Sequence, residues 1–128
     1  MRLSTLILMI LLGSVAAPAL ANGDIGSDMG TIAENYATVQ QTQSLDEFKT
    51  ALQNIRVAAL DAEQGTPTRL AGQQADSPSM VDFRHGLTLL VANVDQALAL
   101  ANKGDLSQAQ ASAEKMKAIR NEYHQKYR

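Results

Sequence analysis

The chain has 128 residues, 45% of them hydrophobic and 19% charged, with 11 Lys and Arg against 13 Asp and Glu. It contains no cysteine, which excludes a disulfide framework, a thiolate metal site and any thioether-linked cofactor. No basic stripe is present to follow a phosphate backbone, so nucleic acid is excluded as a partner.

Residues 1–21 read as a signal peptide that is cleaved. Arg2 gives the positive start, Leu6 to Leu12 an apolar core too short to span a bilayer, and Ala19-Leu20-Ala21 a small-x-small cleavage site. Cleavage predicts export to a bacterial periplasm and a single domain, residues 22–128, with no membrane attachment. Removing Arg2 leaves 10 basic against 13 acidic side chains, a net charge of −3. A mature chain rich in Ala, Leu and Gln, without tryptophan, reads as all-α.

Four amphipathic helices are predicted in order. In residues 24–41, Ile25, Met29, Ile32, Tyr36 and Val39 step by four and three and share one face. Ser44 with Glu47 forms a capping-box signature for the second helix, whose stripe is Leu45, Phe48, Leu52, Ile55, Ala59 and Ala62. Gly65-Thr66-Pro67 stops it, and residues 66–77 form one long connection expected to be mobile. Ser77-Pro78 opens the third helix, with Met80, Phe83, Leu87, Leu90, Val94, Leu98 and Ala101 inward. Asp105 caps the fourth, whose stripe is Leu106, Ala109, Ala113, Met116, Arg120, Tyr123 and Tyr127. Short links between the first and last pairs imply an antiparallel up-down-up-down four-helix bundle.

The chain ends in RNEYHQKYR, residues 120–128. Its Arg120-x-x-Tyr123-His124 has the spacing of the haem-attachment run C-x-x-C-H with both cysteines replaced, which marks His124 as an axial haem ligand. An antiparallel bundle brings the start of the first helix to the same end. At roughly 1.5 Å per residue, Met29 and His124 lie at matching depths of about 7 and 6 Å, a His/Met axial pair. His85 is turned off the core stripe and expected to be solvated. Met80 and Met116 read as packing.

The mature chain resembles the cytochrome b562 family from residue 24 to residue 128. The likeness is carried by Asp28-Met29, Ala58-Ala59-Leu60-Asp61-Ala62, Thr66-Pro67, Asp76-Ser77-Pro78, Asp82-Phe83-Arg84-His85-Gly86, Leu100-Ala101-Asn102, Asn121 and the closing YHQKYR. That resemblance implies a non-covalent haem b, one per chain, with Met29 and His124 as ligands and with Arg120 and Tyr123 at the haem edge. Ile25, Ile32, Phe83 and Leu87 are then expected to hold its apolar body, with the propionates emerging at the open bundle end. The second ring nitrogen of His124 is expected to donate to the Arg120 carbonyl.

A protein ligand on each face of the iron suits one-electron transfer and not an enzyme. The expected partners are haem and unidentified periplasmic redox proteins, for a monomeric carrier. The alternative is a haem-free periplasmic helical-bundle module, a sensor or chaperone, with His124 merely exposed. A weak peroxidase would need a distal acid–base group, and only His85 is available.

Overall fold

The computed structural model describes residues 24–128, so the expected leader at residues 1–21 lies outside the described residues. Those residues form α1 (Ile25–Gln41), α2 (Leu45–Ala62), a short 3-10 turn (Thr68–Leu70), α3 (Pro78–Asn102), α4 (Leu106–Ala113) and α5 (Lys115–Tyr127). α4 and α5 together are the fourth helix of an all-α, four-helix bundle.

α1, α2, α3 and α4 each start where a short polar side chain can satisfy free backbone donors, whereas α5 follows Glu114 with no side-chain cap. Asp24, Ser44, Ser77 and Asp105 accept from the backbone N–H groups of Ser27, Glu47, Met80 and Gln108. Only half of the expected capping box forms. The Glu47 carboxylate accepts from the Thr42 hydroxyl at 2.6 Å, and the Ser44 N–H donates to that same hydroxyl at 3.0 Å.

The core follows the predicted stripes. Phe48, Leu52, Ile55, Val39 and Val94 are fully buried, with Ala59, Ala97, Ala101 and Ala109 letting the helix axes approach. Leu98 and Leu106, predicted inward, lie at the edge of this core. Asp28, off the predicted stripe, is completely buried between α1 and α2.

Two expectations need correction. The fourth helix is not continuous, because it is interrupted at Glu114. The buried Asn93 side chain of α3 donates to the Ser112 carbonyl at 3.0 Å, and the backbone there tightens to three-residue steps, Glu114 N–H to Ala111 and Lys117 N–H to Glu114. A side chain inserted into the helical ladder is a sufficient cause for the break. The connection at residues 66–77 is also partly docked, with Pro67 and Leu70 buried and a left-handed turn at Gly72, φ +86°.

The two ends of the bundle close differently. At one end the Gln110 amide on α4 donates to the Val39 and Thr42 carbonyls of α1, at 3.1 and 3.0 Å. At the other end α5 rests on α3, and a cleft separates it from α1.

Candidate functional site: the cleft between the first and last helices

Along α1 the apolar stripe is fully buried at Tyr36 and Val39 but only half-buried at Ile25, Met29 and Ile32. These three side chains face a cleft of about 1070 Å³. That lies at the upper end of small-molecule sites, about 300–1,000 Å³. Phe83, Leu87 and Leu90 of α3 form its floor, and Met116, Ile119, Arg120, Tyr123, His124 and Tyr127 its far wall. All eight residues singled out from the sequence (Ile25, Met29, Ile32, Phe83, Leu87, Arg120, Tyr123 and His124) line this one cavity. His85 is exposed and outside it, while Met80 and Met116 are buried.

His124 is half-buried on α5. Burial first, and then the charges of Arg128 and Arg120, hold its imidazole below its ordinary value. The ring is therefore neutral at neutral pH and keeps a nitrogen lone pair for a metal. The expected hydrogen bond to the Arg120 carbonyl does not form among the described residues. Arg120 turns toward α1 instead, its guanidinium 5.9 Å over the Tyr36 ring and bonded to the Asn121 side chain at 3.2 and 3.3 Å.

Tyr123 takes its position from a glycine. Its ring lies so close to α3 that a Cβ at Gly86 would come within 2.5 Å of it. The Tyr123 ring stacks on Tyr127 at 6.2 Å, and Tyr127 meets Phe83 edge-on at 6.0 Å. The cleft thus has a continuous aromatic rim on the α3 side.

The charge of the cleft differs from that of the chain. Arg69, Arg120 and Arg128 line it, and among the described residues no aspartate or glutamate does. An apolar interior with guanidinium groups around it suits a flat apolar ligand carrying carboxylates. Tyr36 adds a buried hydroxyl without a hydrogen-bond partner in the wall, and its phenol is pushed up, first by burial and then by the Glu114 charge. Sequence reasoning missed Arg69, Arg128 and Tyr36 as cleft residues. Arg69 could not be read from local pattern, because the docking of residues 67–70 against the bundle puts it there. For Tyr36 a signal existed, since it sits on the same stripe as Met29.

The sequence profile described as cytochrome b562 matches residues 24–128. The chain belongs to the cytochrome b562 family. It is 48% identical over 104 residues to "Probable soluble cytochrome b562 2" of Yersinia pestis, covering 81% of each chain. It is 34% identical over 101 residues to "Probable soluble cytochrome b562 1" of the same organism, covering 79% of this chain and 80% of the relative. An uncharacterized Pasteurella multocida protein is 27% identical over 128 residues, covering 99% of this chain and 98% of its own. Membership in the cytochrome b562 family brings with it haem b and electron transfer as the family's chemistry. The four-helix bundle is the fold that goes with it. Among the described residues no helix is long and apolar enough to cross a membrane.

Proposed function

We propose that this chain is a periplasmic one-electron carrier that holds one non-covalent haem b between Met29 and His124. The observation that carries the reading is the cleft itself. It gathers a thioether from α1, a neutral imidazole from α5, apolar walls and three arginines in one cavity.

When bound, the haem would supply reversible exchange between Fe(II) and Fe(III). Met29 and His124 would be the side chains that hold its iron, a thioether from α1 and an imidazole from α5. The soft sulfur of Met29 favours Fe(II) and raises the potential above that of a bis-imidazole site. Ile25, Ile32, Phe83 and Leu87 exclude water from the site, which strengthens every charge interaction within it. Arg69, Arg120 and Arg128 offset the negative charge of two propionates. With no cysteine in the chain, nothing can tether the group covalently. The reading is of a carrier and not an enzyme, working with redox proteins of the periplasm after removal of residues 1–21.

Purified mature protein from haem-replete cells tests this reading. It should be red, contain one haem per chain, show a six-coordinate low-spin spectrum and release its haem into acidic organic solvent. A colourless protein would return the chain to the class of haem-free helical modules. A high-spin spectrum in both oxidation states would sink the His/Met assignment while leaving haem binding intact.

A further inference from the structure

The segment that carries His124 starts at a break in the fourth helix and is fastened at its far end. The break is at Glu114, where Asn93 occupies the Ser112 carbonyl. From there α5 runs along α3, with the cleft on its other side. Among the described residues nothing polar joins it to α3 until its last turn. There Asp82 Oδ2 accepts from two donors, the Tyr127 hydroxyl at 2.6 Å and the Lys126 ammonium at 3.0 Å.

The surroundings make this one assembly. Tyr127 presses edge-on against Phe83, the residue next to Asp82, and stacks on Tyr123. Lys126 Nζ lies 4.6 Å over the Tyr123 ring as it reaches Asp82. Behind them, Arg69 donates to the Lys126 carbonyl at 3.4 Å. The two donors hold the Asp82 carboxyl below its ordinary value, the Tyr127 hydroxyl first, as expected for a carboxylate that is an acceptor in earnest.

We propose that Asp82 is a positioning residue for the haem site, acting through Tyr127 and Lys126 to hold the α5 segment beyond the helix break at the spacing from α1 that His124 needs. The inference rests on the reading of His124 as a haem ligand. Its mechanical half, that Asp82 fastens α5, stands on the haem-free chain alone. A ligand on a segment separated by a break from the rest of its helix binds well only if its place is fixed beforehand, because ordering it on binding would weaken affinity. Partners that orient a metal ligand from outside the coordination sphere typically change metal affinity about 10- to 100-fold.

The test uses Tyr127→Phe, which removes the hydroxyl and keeps the ring, and Asp82→Ala, with Asp82→Asn as the conservative rescue. Asp95→Ala breaks the comparably exposed Arg56–Asp95 pair between α2 and α3, away from the cleft, and controls for general loosening. In the haem-free chain, amide exchange over residues 123–128 should quicken roughly threefold to tenfold in the first two variants and not in the control. In the haem-loaded chain, transfer of haem to an apo-globin should quicken about tenfold. The low-spin fraction and the reduction potential should fall together with it, and Asp82→Asn should recover part of each.

Unchanged exchange in the haem-free variants overturns the fastening. Quickened exchange with native haem retention, spin state and potential overturns the positioning role. If the native chain takes up no haem, the proposed function fails first, and exchange alone then decides whether Asp82 fastens α5.

Discussion

At one end of the bundle Gln110 bridges α1 and α4, and the side chains between the helices are fully buried. At the other end the same two rows stand apart, with Met29 on one and His124 on the other, and their apolar side chains are left half-buried. The closed end supplies the stability of the haem-free fold. The open end holds apolar surface in reserve for a ligand. Polar contacts follow the same division: Gln110 draws α4 onto α1, whereas Asp82 draws α5 onto α3 and so keeps the cleft open on the α1 side.

The largest effect should come from breaking the closed end. Phe48 is completely buried, and Phe48→Ala should remove about 3–5 kcal/mol from the haem-free chain. Its urea midpoint should fall accordingly, while the fraction still folded keeps a native haem spectrum. Ile32→Ala at the open end should lower the haem-free stability by only roughly 1 kcal/mol, since part of its side chain is already in water. Equal losses from the two variants would erase the distinction between the ends.

Asp28 tests the comparison through pH, because it is a buried acid at the open end of α1. Both its carboxyl oxygens lack a hydrogen-bond donor, and its carboxyl is pushed up from 3.8 to about 7, first by burial and then by the neighbouring Asp61 carboxyl. A raised folded-state value means that the folded chain holds the proton more tightly than the unfolded one. Asp28 therefore favours folding below pH 4, loses that contribution as pH rises toward 7, and adds no further slope above it. The full swing is on the order of 4 kcal/mol at most. Asp28→Asn should flatten the difference in urea stability between pH 5 and pH 8. Parallel profiles for the variant and the native chain would show that Asp28 titrates normally.

These particulars mark what was legible in the sequence. Caps at Ser44, Ser77 and Asp105 are local signals, and all three stand where the sequence placed them, with Asp24 adding a fourth in the structure. Met29 and His124 both line one cleft, as depth along a helix, read from residue count, leads one to expect. The buried Asp28 was not legible, since its neighbour Asp61 comes from another helix. The same holds for the break at Glu114, caused by Asn93 of α3, and for Arg69, carried to the cleft by a docked turn. Each depends on a contact between segments, which periodicity within one segment cannot register.

At the open end itself, His124→Ala should weaken haem binding by at least about 100-fold, roughly 3 kcal/mol, because under the proposed ligation it removes the stronger ligand. Met29→Ala should keep part of the haem but lose the low-spin spectrum and lower the potential. His85→Ala should alter neither, as its side chain is exposed outside the cleft. Loss of the low-spin bands in His85→Ala would mean that α3 presents another face to the haem.

A small net change in stability is expected at Gly86, where two effects oppose each other. Replacing a helical glycine by alanine ordinarily stabilises by roughly 0.5–1 kcal/mol, because alanine has less backbone freedom to lose. At Gly86 the added methyl would lie 2.5 Å from Tyr123 Cδ1 and 2.7 Å from both Cγ and Cε1. Cγ stands at the root of the ring, so a small rotation cannot relieve the contact and the whole side chain must move. Forcing a methyl into such a place typically costs about 1–3 kcal/mol. Gly86→Ala should therefore leave the haem-free chain destabilised by only about 1 kcal/mol. Its haem site should change more than its stability does, because the displaced ring belongs to the residue beside His124. Denaturation of the haem-free chain and the low-spin fraction of the loaded chain separate the two effects. A variant more stable than the native chain, with a native spectrum, would show that Tyr123 moves aside freely and that Gly86 does not set its position.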